Sequence, residues 1–224
     1  MPPFPEPTLI FHITPIDNLA SIARVGALLS KRLVAERGLV AADIAYEQIQ
    51  GLRAVKAIPI APGGTFHDYV PFYFAPRSPM LMTINSGNVA GCDFRQDDIV
   101  HLVSHAQSVR DGGHRFVFSN LHAVKDFAEF FNNLLRLDEI DWRIFFENPL
   151  LEGYCKYWFS RHTPAHYILR QETRMAEFLV HQQLPIAAIS EIGVRTPQGE
   201  ARIRAALAGT GWNPSVRVVP GWYF

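Results

Sequence analysis

Histidines are the residues of this 224-residue chain whose type and spacing first suggest chemistry. Nine are scattered along the sequence, and His162 and His166 have the i, i+4 spacing with which one face of a helix can hold a metal ion. Pro164 lies between the two, and no third ligand accompanies them. We therefore expect no metal site.

The common nucleotide-binding and hydrolase motifs are missing from the sequence. It contains no GxGxxG, GxxxxGK[ST], HExxH or GxSxG, and Gly63-Gly64 is the extent of any glycine-rich phosphate loop. Rossmann, P-loop, zincin and nucleophile-elbow interpretations therefore lack the residues on which they depend.

Charge and composition exclude several further classes. The 21 basic residues balance 21 acidic ones, and the charged fraction of 19% is below the roughly 25% of typical soluble domains, whereas 48% of the residues are hydrophobic. A chain this apolar folds into a core, which excludes intrinsic disorder. A neutral chain is also a poor candidate for coating duplex DNA, so any nucleic-acid binding must use a local patch.

Cysteine usage and the N-terminus bear on the compartment. Cys92 and Cys155 form no metal-ligand spacing and no disulfide framework. The lead from Met1 to Pro7 lacks the basic and apolar regions of a secretion signal, and no run approaches about 18 apolar residues. These features predict a soluble cytoplasmic protein without a membrane segment.

The first third of the chain predicts a strand, helices and a second strand. Thr8–Ile13 is a β-branched and apolar run, and a helix over Asn18–Val25 would begin at the cap Asp17 and end at Gly26. Leu28–Lys56 has a broadly helical pattern. Tyr69–Phe74 is an aromatic strand that contains a proline, which predicts an edge strand or a bulge.

The remaining pattern mixes strands and helices without internal repeats. It predicts a single α+β domain over residues 1–224. Ala123–Leu137 has apolar residues at helical spacing, and Gln198–Ala208 forms an amphipathic helix. Further strands are predicted at Ile99–Val103, Arg115–Phe118, Glu177–Val180, Ile189–Val194 and Val216–Val219.

Six segments, taken in order, carry a resemblance that covers almost the whole chain. They are FHIT followed by Asp17-Asn18, GLRA at 51–54, GGTFHDYVPFYFAPRSPM at 63–80, FVFSNLHA at 116–123, RMAEFLV at 174–180 and the final GWYF. Their arrangement resembles the DarT family, the DNA ADP-ribosyltransferase toxins of DarT–DarG toxin–antitoxin systems. The resemblance implies an ADP-ribosyltransferase fold, in which a split mixed β-sheet with flanking helices holds NAD in a central cleft.

The resemblance assigns catalysis to Glu177 and Arg53. A carboxylate that accepts a hydrogen bond from the NAD ribose would stabilise the positive charge that develops as nicotinamide leaves. Arg53 would orient the acceptor base and favour its deprotonated ring nitrogen. Without the resemblance, Glu177 would be a surface residue at the start of a strand and Arg53 a solvated helix charge.

The resemblance also assigns binding residues, each with a plainer alternative. His12, Thr14, Asn18, Gly26, Tyr73 and Met80 would hold NAD, although His12 alone suggests a core histidine and Asn18 and Gly26 suggest helix-end residues. Tyr73 and Met80 would supply a stacking ring and a soft, adaptable wall. Single-stranded DNA would contact Tyr46, Arg77 and His122, and the last two are equally compatible with ordinary surface positions.

The function implied is transfer of ADP-ribose from NAD to a base of single-stranded DNA, most closely as in the thymine-modifying members, with a block to replication. NAD would be consumed as co-substrate without a metal, and a macrodomain antitoxin, DarG, would be the protein partner. Alternatives are a guanine, RNA or protein acceptor, or a non-catalytic module that binds NAD or nucleic acid.

Overall fold

The structure, a computed structural model, describes residues 4–42, 44, 47–87, 93–159 and 169–224. Tyr46, Cys92 and the pair His162 and His166 lie outside these ranges. A sheet of eight strands forms the centre of the described part. In spatial order its strands are β12 (Ser215–Val218), β11 (Glu191–Val194), β4 (Ile99–His105), β1 (Leu9–Pro15), β3 (Tyr69–Tyr73), β9 (Ala176–His181), β5 (Phe116–His122) and β6 (Phe130–Phe131).

Helices and two small sheets surround this central sheet. One small sheet pairs β2 (Ala27–Leu29) with β10 (Gln183–Pro185), and the other pairs β7 (Leu150–Leu151) with β8 (Tyr154–Cys155). The helices are α1 (Leu19–Val25), α2 (Lys31–Glu36), α3 (Glu47–Val55), α4 (Pro79–Asn85), α5 (Ala106–Asp111), α6 (Arg143–Phe146), α7 (Arg170–Arg174) and α8 (Pro197–Leu207).

The central sheet is mixed, and it splits between β1 and β3. The pair β11 and β12 is parallel, whereas the other pairs are antiparallel. All seven residues of β1 have partners in β4, but β1 meets β3 at one register pair, Phe11 with Tyr73. Beyond that pair the two strands diverge and leave a fork. The predicted α+β fold with a split mixed sheet is confirmed.

Pro71 lies inside the sheet, so the prediction of an edge strand is wrong. It pairs with Leu179 of β9 on one side of β3. Its carbonyl faces the fork, where it accepts a hydrogen bond from the His12 ring. The nitrogen and carbonyl of one strand residue point to the same side. The missing N–H of Pro71 therefore falls where the split removes the ladder partner, and the proline costs no sheet hydrogen bond.

The predicted helix over Ala123–Leu137 is also wrong. Phe130 and Phe131 instead form a short strand that pairs with Ser119 and Phe118 of β5. A 3-10 helix over Leu134–Glu139 follows, and the side chain of Asn133 caps its start by accepting the Leu135 N–H. Pairing to an existing sheet edge and an asparagine cap override a periodicity that would otherwise favour a helix.

The segment Leu28–Lys56 is not continuously helical. It contains β2, α2, which begins at the cap Ser30, and the separate helix α3. Asp17 makes no capping bond, because a 3-10 turn over Ile16–Asn18 precedes α1. The helix end at Gly26, where φ is +75°, is as predicted, and so are the remaining strands and α8 apart from shifts at their ends.

The C-terminal residues pack into the hydrophobic core against β1 and β4. The rings of Phe11 and Trp222 meet edge to face at 5.1 Å, and Trp222 is almost fully buried. Next to it, the Tyr223 hydroxyl donates to the carbonyl of Ile99. Among the described ranges, none of the helices has the length and apolar character needed to cross a membrane.

Candidate active site

A cavity of about 440 Å³ occupies the fork between β1 and β3. This volume lies within the range of about 300–1,000 Å³ that is usual for ligand pockets. The wall draws on several elements that are distant in sequence, and it brings together most of the residues singled out from the sequence. These are His12, Thr14, Asn18, Arg53, Tyr73, Met80, His122 and Glu177.

Glu177 and Arg53 form a buried ion pair on the wall of this cavity. The guanidinium donates from Nη1 to Oε1 at 2.9 Å and from Nη2 to Oε2 at 2.8 Å. The side chains of Glu177 and Arg53 are 2% and 12% exposed. Burial disfavours the charged form of Arg53, but the charge and hydrogen bonds of Glu177 outweigh burial and raise the arginine pKa. Arg53 is therefore a permanent cation fixed against the carboxylate.

Two aromatic residues frame this ion pair. The guanidinium of Arg53 lies 4.7 Å from the centre of the Phe66 ring, within cation–π range. Tyr73 is the register partner of Glu177 on the adjacent strand. Burial, and secondarily the charge of Glu177, raise the pKa of Tyr73 above its ordinary value. Tyr73 therefore remains a neutral phenol that can donate a hydrogen bond.

His12 bridges the fork from the opposite strand. Its Nδ1 lies 2.8 Å from the carbonyl oxygen of Pro71. A carbonyl oxygen only accepts, so Nδ1 carries the proton and donates. Burial lowers the pKa of His12 although this bond opposes the shift. The neutral ring therefore keeps Nε2 as its acceptor.

Thr14 and Asn18 connect the first strand to the segment that covers the cavity. Asn18 Nδ2 donates to Thr14 Oγ1 at 3.1 Å and to the Ala42 carbonyl at 3.0 Å. Asn18 Oδ1 accepts the Ala42 N–H at 2.8 Å. Since residues 39–42 line the cavity, Asn18 holds one of its walls in place.

Met80 and His122 complete the wall. Met80 lies in the first turn of α4, which Ser78 caps by accepting the Leu81 N–H. His122 ends β5 close to the ion pair, and burial lowers its pKa while the charge of Glu177 opposes the shift. The lining of the cavity thus includes a soft apolar side chain and a neutral imidazole.

Two of the described sequence-derived candidates, Gly26 and Arg77, are not on this wall. Gly26 lies between the wall residues Val25 and Ala27 and ends α1 in a left-handed conformation. The Arg77 guanidinium lies 4.4 Å from the centre of the Phe224 ring and donates to the Lys156 carbonyl. Tyr46 is outside the described residues.

The sequence did not single out a polar network on the same cavity. Gln50 Oε1 accepts from Lys31 Nζ at 3.1 Å and from His67 Nε2 at 2.9 Å. Burial, and then the charges of Lys31 and Arg53, lower the pKa of His67. His67 falls within the long aromatic segment at 63–80, which was the available signal, but nothing in the sequence shows that Gln50 faces it.

The described residues contain no group of three or more histidine, cysteine, aspartate or glutamate side chains that could hold a metal ion. A buried carboxylate, that of Glu177, stands on the cavity wall. A carboxylate held in a low-dielectric site can accept a hydrogen bond from a hydroxyl and stabilise positive charge on an adjacent carbon. A fixed guanidinium beside it can orient a carbonyl oxygen.

Comparisons with known proteins agree with this geometry. The chain is 39% identical to a DNA ADP-ribosyl transferase of Thermus sp. (strain 2.9) over 99% of this chain and 98% of the relative. Thermus sp. 2.9 DarT in complex with ADP-ribosylated ssDNA superposes with a TM-score of 0.85, at 38% identity, over 99% of this chain and 98% of that one. The same protein in complex with NAD+ gives 0.81, at 36% identity, over 99% and 100%.

A mixed sheet that splits between β1 and β3, with a buried glutamate on the wall of the cavity there, defines an ADP-ribosyltransferase fold. The Thermus structures match it over 99% of this chain. A family model described as ssDNA thymidine ADP-ribosyltransferase, DarT, matches residues 11–224. The chain belongs to this family.

Proposed function

We propose that the protein transfers ADP-ribose from NAD to thymine in single-stranded DNA and releases nicotinamide. The observation that carries the proposal is the buried ion pair between Glu177 and Arg53 in the cavity at the fork. The Thermus relative was solved with NAD+ and with ADP-ribosylated ssDNA, and this chain shares its fold over nearly the whole length.

Glu177 and Arg53 take complementary roles in the proposed reaction. The bond between the ribose C1′ and the nicotinamide nitrogen breaks, and its electron pair leaves with neutral nicotinamide. Glu177 accepts a hydrogen bond from the ribose 2′-hydroxyl and stabilises the cationic sugar where the charge develops. A thymine ring nitrogen loses its proton to solvent water, and Arg53 stabilises the negative charge left on the base through its donors. The deprotonated nitrogen then bonds to C1′, which leaves a neutral modified base.

The remaining candidates divide between NAD and DNA. His12, Thr14, Asn18, Tyr73 and Met80 line the cavity and are proposed to hold NAD, with Gly26 shaping the end of α1 beside it. His122 is proposed to contact the DNA strand at the cavity, and Arg77 and Tyr46 are also proposed to contact the strand. A neutral chain suits this substrate, because a few unpaired nucleotides need only a handful of cationic and stacking contacts.

The family also suggests the biological setting. The protein is proposed to be a single-domain toxin over residues 1–224 that acts in the cytoplasm, with a macrodomain antitoxin, DarG, as its partner. The modified base would block replication, and DarG would remove the modification by hydrolysis.

The decisive experiment incubates the protein with NAD labelled in its adenylate phosphate. Oligonucleotides with one thymine are compared with matched oligonucleotides in which cytosine replaces it, and with guanine-containing, RNA and protein substrates. We expect label on thymine-containing single strands, no label with Glu177→Gln, and a mass increase of one ADP-ribose group on the base. Label confined to guanine, RNA or protein would overturn the proposed acceptor, and no transfer to any substrate would overturn catalysis.

A further inference from the structure

Strand β5 is irregular opposite the catalytic glutamate. Phe118 pairs with Phe178 of β9, and the next pair along β5 is His122 with Ala176. Three residues of β5 therefore stand opposite Glu177 alone, which makes a bulge at this point in the sheet. On its other side, Glu177 keeps its regular partner Tyr73 in β3.

The hydroxyl of Ser119 fills the gap that this bulge creates. The Glu177 backbone N–H donates to Ser119 Oγ at 3.1 Å, and Ser119 Oγ donates to the Leu121 carbonyl at 2.6 Å. Ser119 is fully buried. A single hydroxyl thus accepts the hydrogen bond that a strand carbonyl would ordinarily accept. The same hydroxyl also forms a hydrogen bond within the bulge.

A second set of hydrogen bonds holds the bulge on the side that faces β6. The Asn120 side chain accepts the Glu129 N–H at 3.0 Å and donates to a carboxylate oxygen of Glu129 at 3.1 Å. The bulge is therefore held by Asn120 on the side of β6 and by Ser119 on the side of β9. Its far end presents His122 to the cavity.

We infer that Ser119 is a positioning residue for Glu177, resting on the proposed function. It fixes the backbone from which the carboxylate projects, without being on the cavity wall itself. A displacement of about 1 Å in a reacting group is enough to lower a rate by about 100-fold. Loss of this hydroxyl should therefore lower turnover while the NAD-binding wall stays in place.

The test compares Ser119→Ala with Ser119→Thr, which retains the hydroxyl, and with Ser104→Ala. Ser104 is the matched control because it too is a fully buried serine of the central sheet, with a hydroxyl that donates to the Ala188 carbonyl at 2.7 Å. For each variant, kcat and KM for NAD are measured with a thymine-containing oligonucleotide. Amide hydrogen exchange at Glu177 is followed by NMR.

We expect kcat of Ser119→Ala to fall about 10- to 100-fold with KM for NAD changed less than about threefold. Ser119→Thr should recover most of the turnover. Ser104→Ala should retain wild-type turnover even if its melting temperature falls by as much as that of Ser119→Ala. Should Ser119→Ala not fold, Ser119→Cys, with a weaker acceptor in the same space, replaces it under the same expectations.

The exchange measurement separates this inference from the proposed function. Faster exchange at Glu177 in Ser119→Ala, without the same change in Ser104→Ala, supports the inference even if the wild-type protein modifies no DNA. Wild-type exchange at Glu177 would overturn it, and so would wild-type turnover of Ser119→Ala in an active protein.

Discussion

Arg53 occupies both carboxylate oxygens of Glu177 although 124 positions separate the two residues in the chain. The arginine comes from the last turn of α3, and the glutamate from β9, which pairs with the fork strand β3. Fork-to-fork pairing of this kind fixes both side chains in one plane. Neither charge is stable alone at this depth, so each residue constrains the position of the other.

Glu177→Gln is expected to abolish most of the activity while the fold persists. The amide is nearly isosteric, but it removes the negative charge opposite the developing cation and turns one donor toward Arg53. We expect kcat for oligonucleotide modification to fall at least about 100- to 1,000-fold, as for other deleted charge-stabilising groups. Circular dichroism should show an unchanged fold, although the unpaired Arg53 charge should lower the free energy of unfolding.

Glu191→Gln is the matched control for this change. Glu191 also accepts two hydrogen bonds from one arginine, from Nε and Nη2 of Arg217 within the same sheet, but the pair lies at the surface. The activity of Glu191→Gln should equal that of the wild-type protein. Equal losses in the two variants would show that breaking any such ion pair inactivates the enzyme, and would contradict a specific role of Glu177.

Arg53→Lys tests whether the guanidinium geometry matters beyond its charge. Lysine retains the charge but lacks the planar fork, so it cannot serve both oxygens of Glu177 and orient a base at once. We expect kcat for DNA modification to fall about 10- to 100-fold, with a smaller change in KM for NAD. Arg217→Lys provides the control, and turnover of Arg53→Lys within a factor of about two of wild type would refute the role.

The sequence predicted which residues line this site better than it predicted how the fold brings them together. Three of these residues, Glu177, Arg53 and His12, lie in short segments that resemble a known family in their sequence alone. The resemblance implied a split sheet but not the place of the split, which depends on β1 and β3 diverging after a single pair. For the same reason Pro71 was assigned to an edge: its missing N–H faces a split that only the assembled sheet contains.

Contacts that depend on tertiary structure escaped prediction as well. Gln50 meets His67 because a helix packs beside a 3-10 turn, and Ser119 meets Glu177 because a bulge shifts the register. Phe130 and Phe131 follow a helical period, yet they extend a sheet because β5 offers a free edge there. Local pattern and propensity are weak guides where strand pairing competes.

Asn18→Ala is expected to weaken NAD binding more than it slows chemistry. Its amide makes two hydrogen bonds with the Ala42 backbone and so holds residues 39–42 against the cavity. Losing both bonds should raise KM for NAD by up to about 30-fold, since each is worth about 1 kcal/mol. Steady-state kinetics would show this, with Asn133→Ala as the control, because that variant removes an exposed helix cap that is not part of the cavity wall. An unchanged KM would contradict the role.

His101 is expected to make stability fall in mild acid. It is fully buried, its Nε2 donates to the Pro76 carbonyl at 2.8 Å, and burial lowers its pKa to about 4. The unfolded chain takes up the proton near pH 6.5, before the folded protein does. Stability from this residue is therefore complete above pH 6.5 and is lost as the pH falls toward 4, by about 3 kcal/mol.

Urea unfolding at pH 7, 5.5 and 4.5 measures this effect. The difference in free energy of unfolding between wild type and His101→Gln should shrink as the pH falls, because glutamine does not titrate. His114→Gln, at a partly exposed position, is the control. A difference that is independent of pH would show that His101 does not carry the acid sensitivity.

Gln182 is expected to limit stability through its backbone conformation. It joins β9 to β10 with φ at +65°, and its N–H and carbonyl bond to Asp68 and Ser30 at 2.7 Å each. A left-handed conformation costs an L-residue about 1–2 kcal/mol, and most for a β-branched side chain. Gln182→Val should therefore lower the free energy of unfolding by about 1 kcal/mol or more, whereas Gln182→Gly should leave it unchanged or raise it by up to about 1 kcal/mol. Gln183→Val, at the next position in the extended strand β10, should be tolerated because valine favours strands. If Gln182→Val and Gln183→Val had the same free energy of unfolding in urea, backbone strain at Gln182 would not limit the stability of the protein.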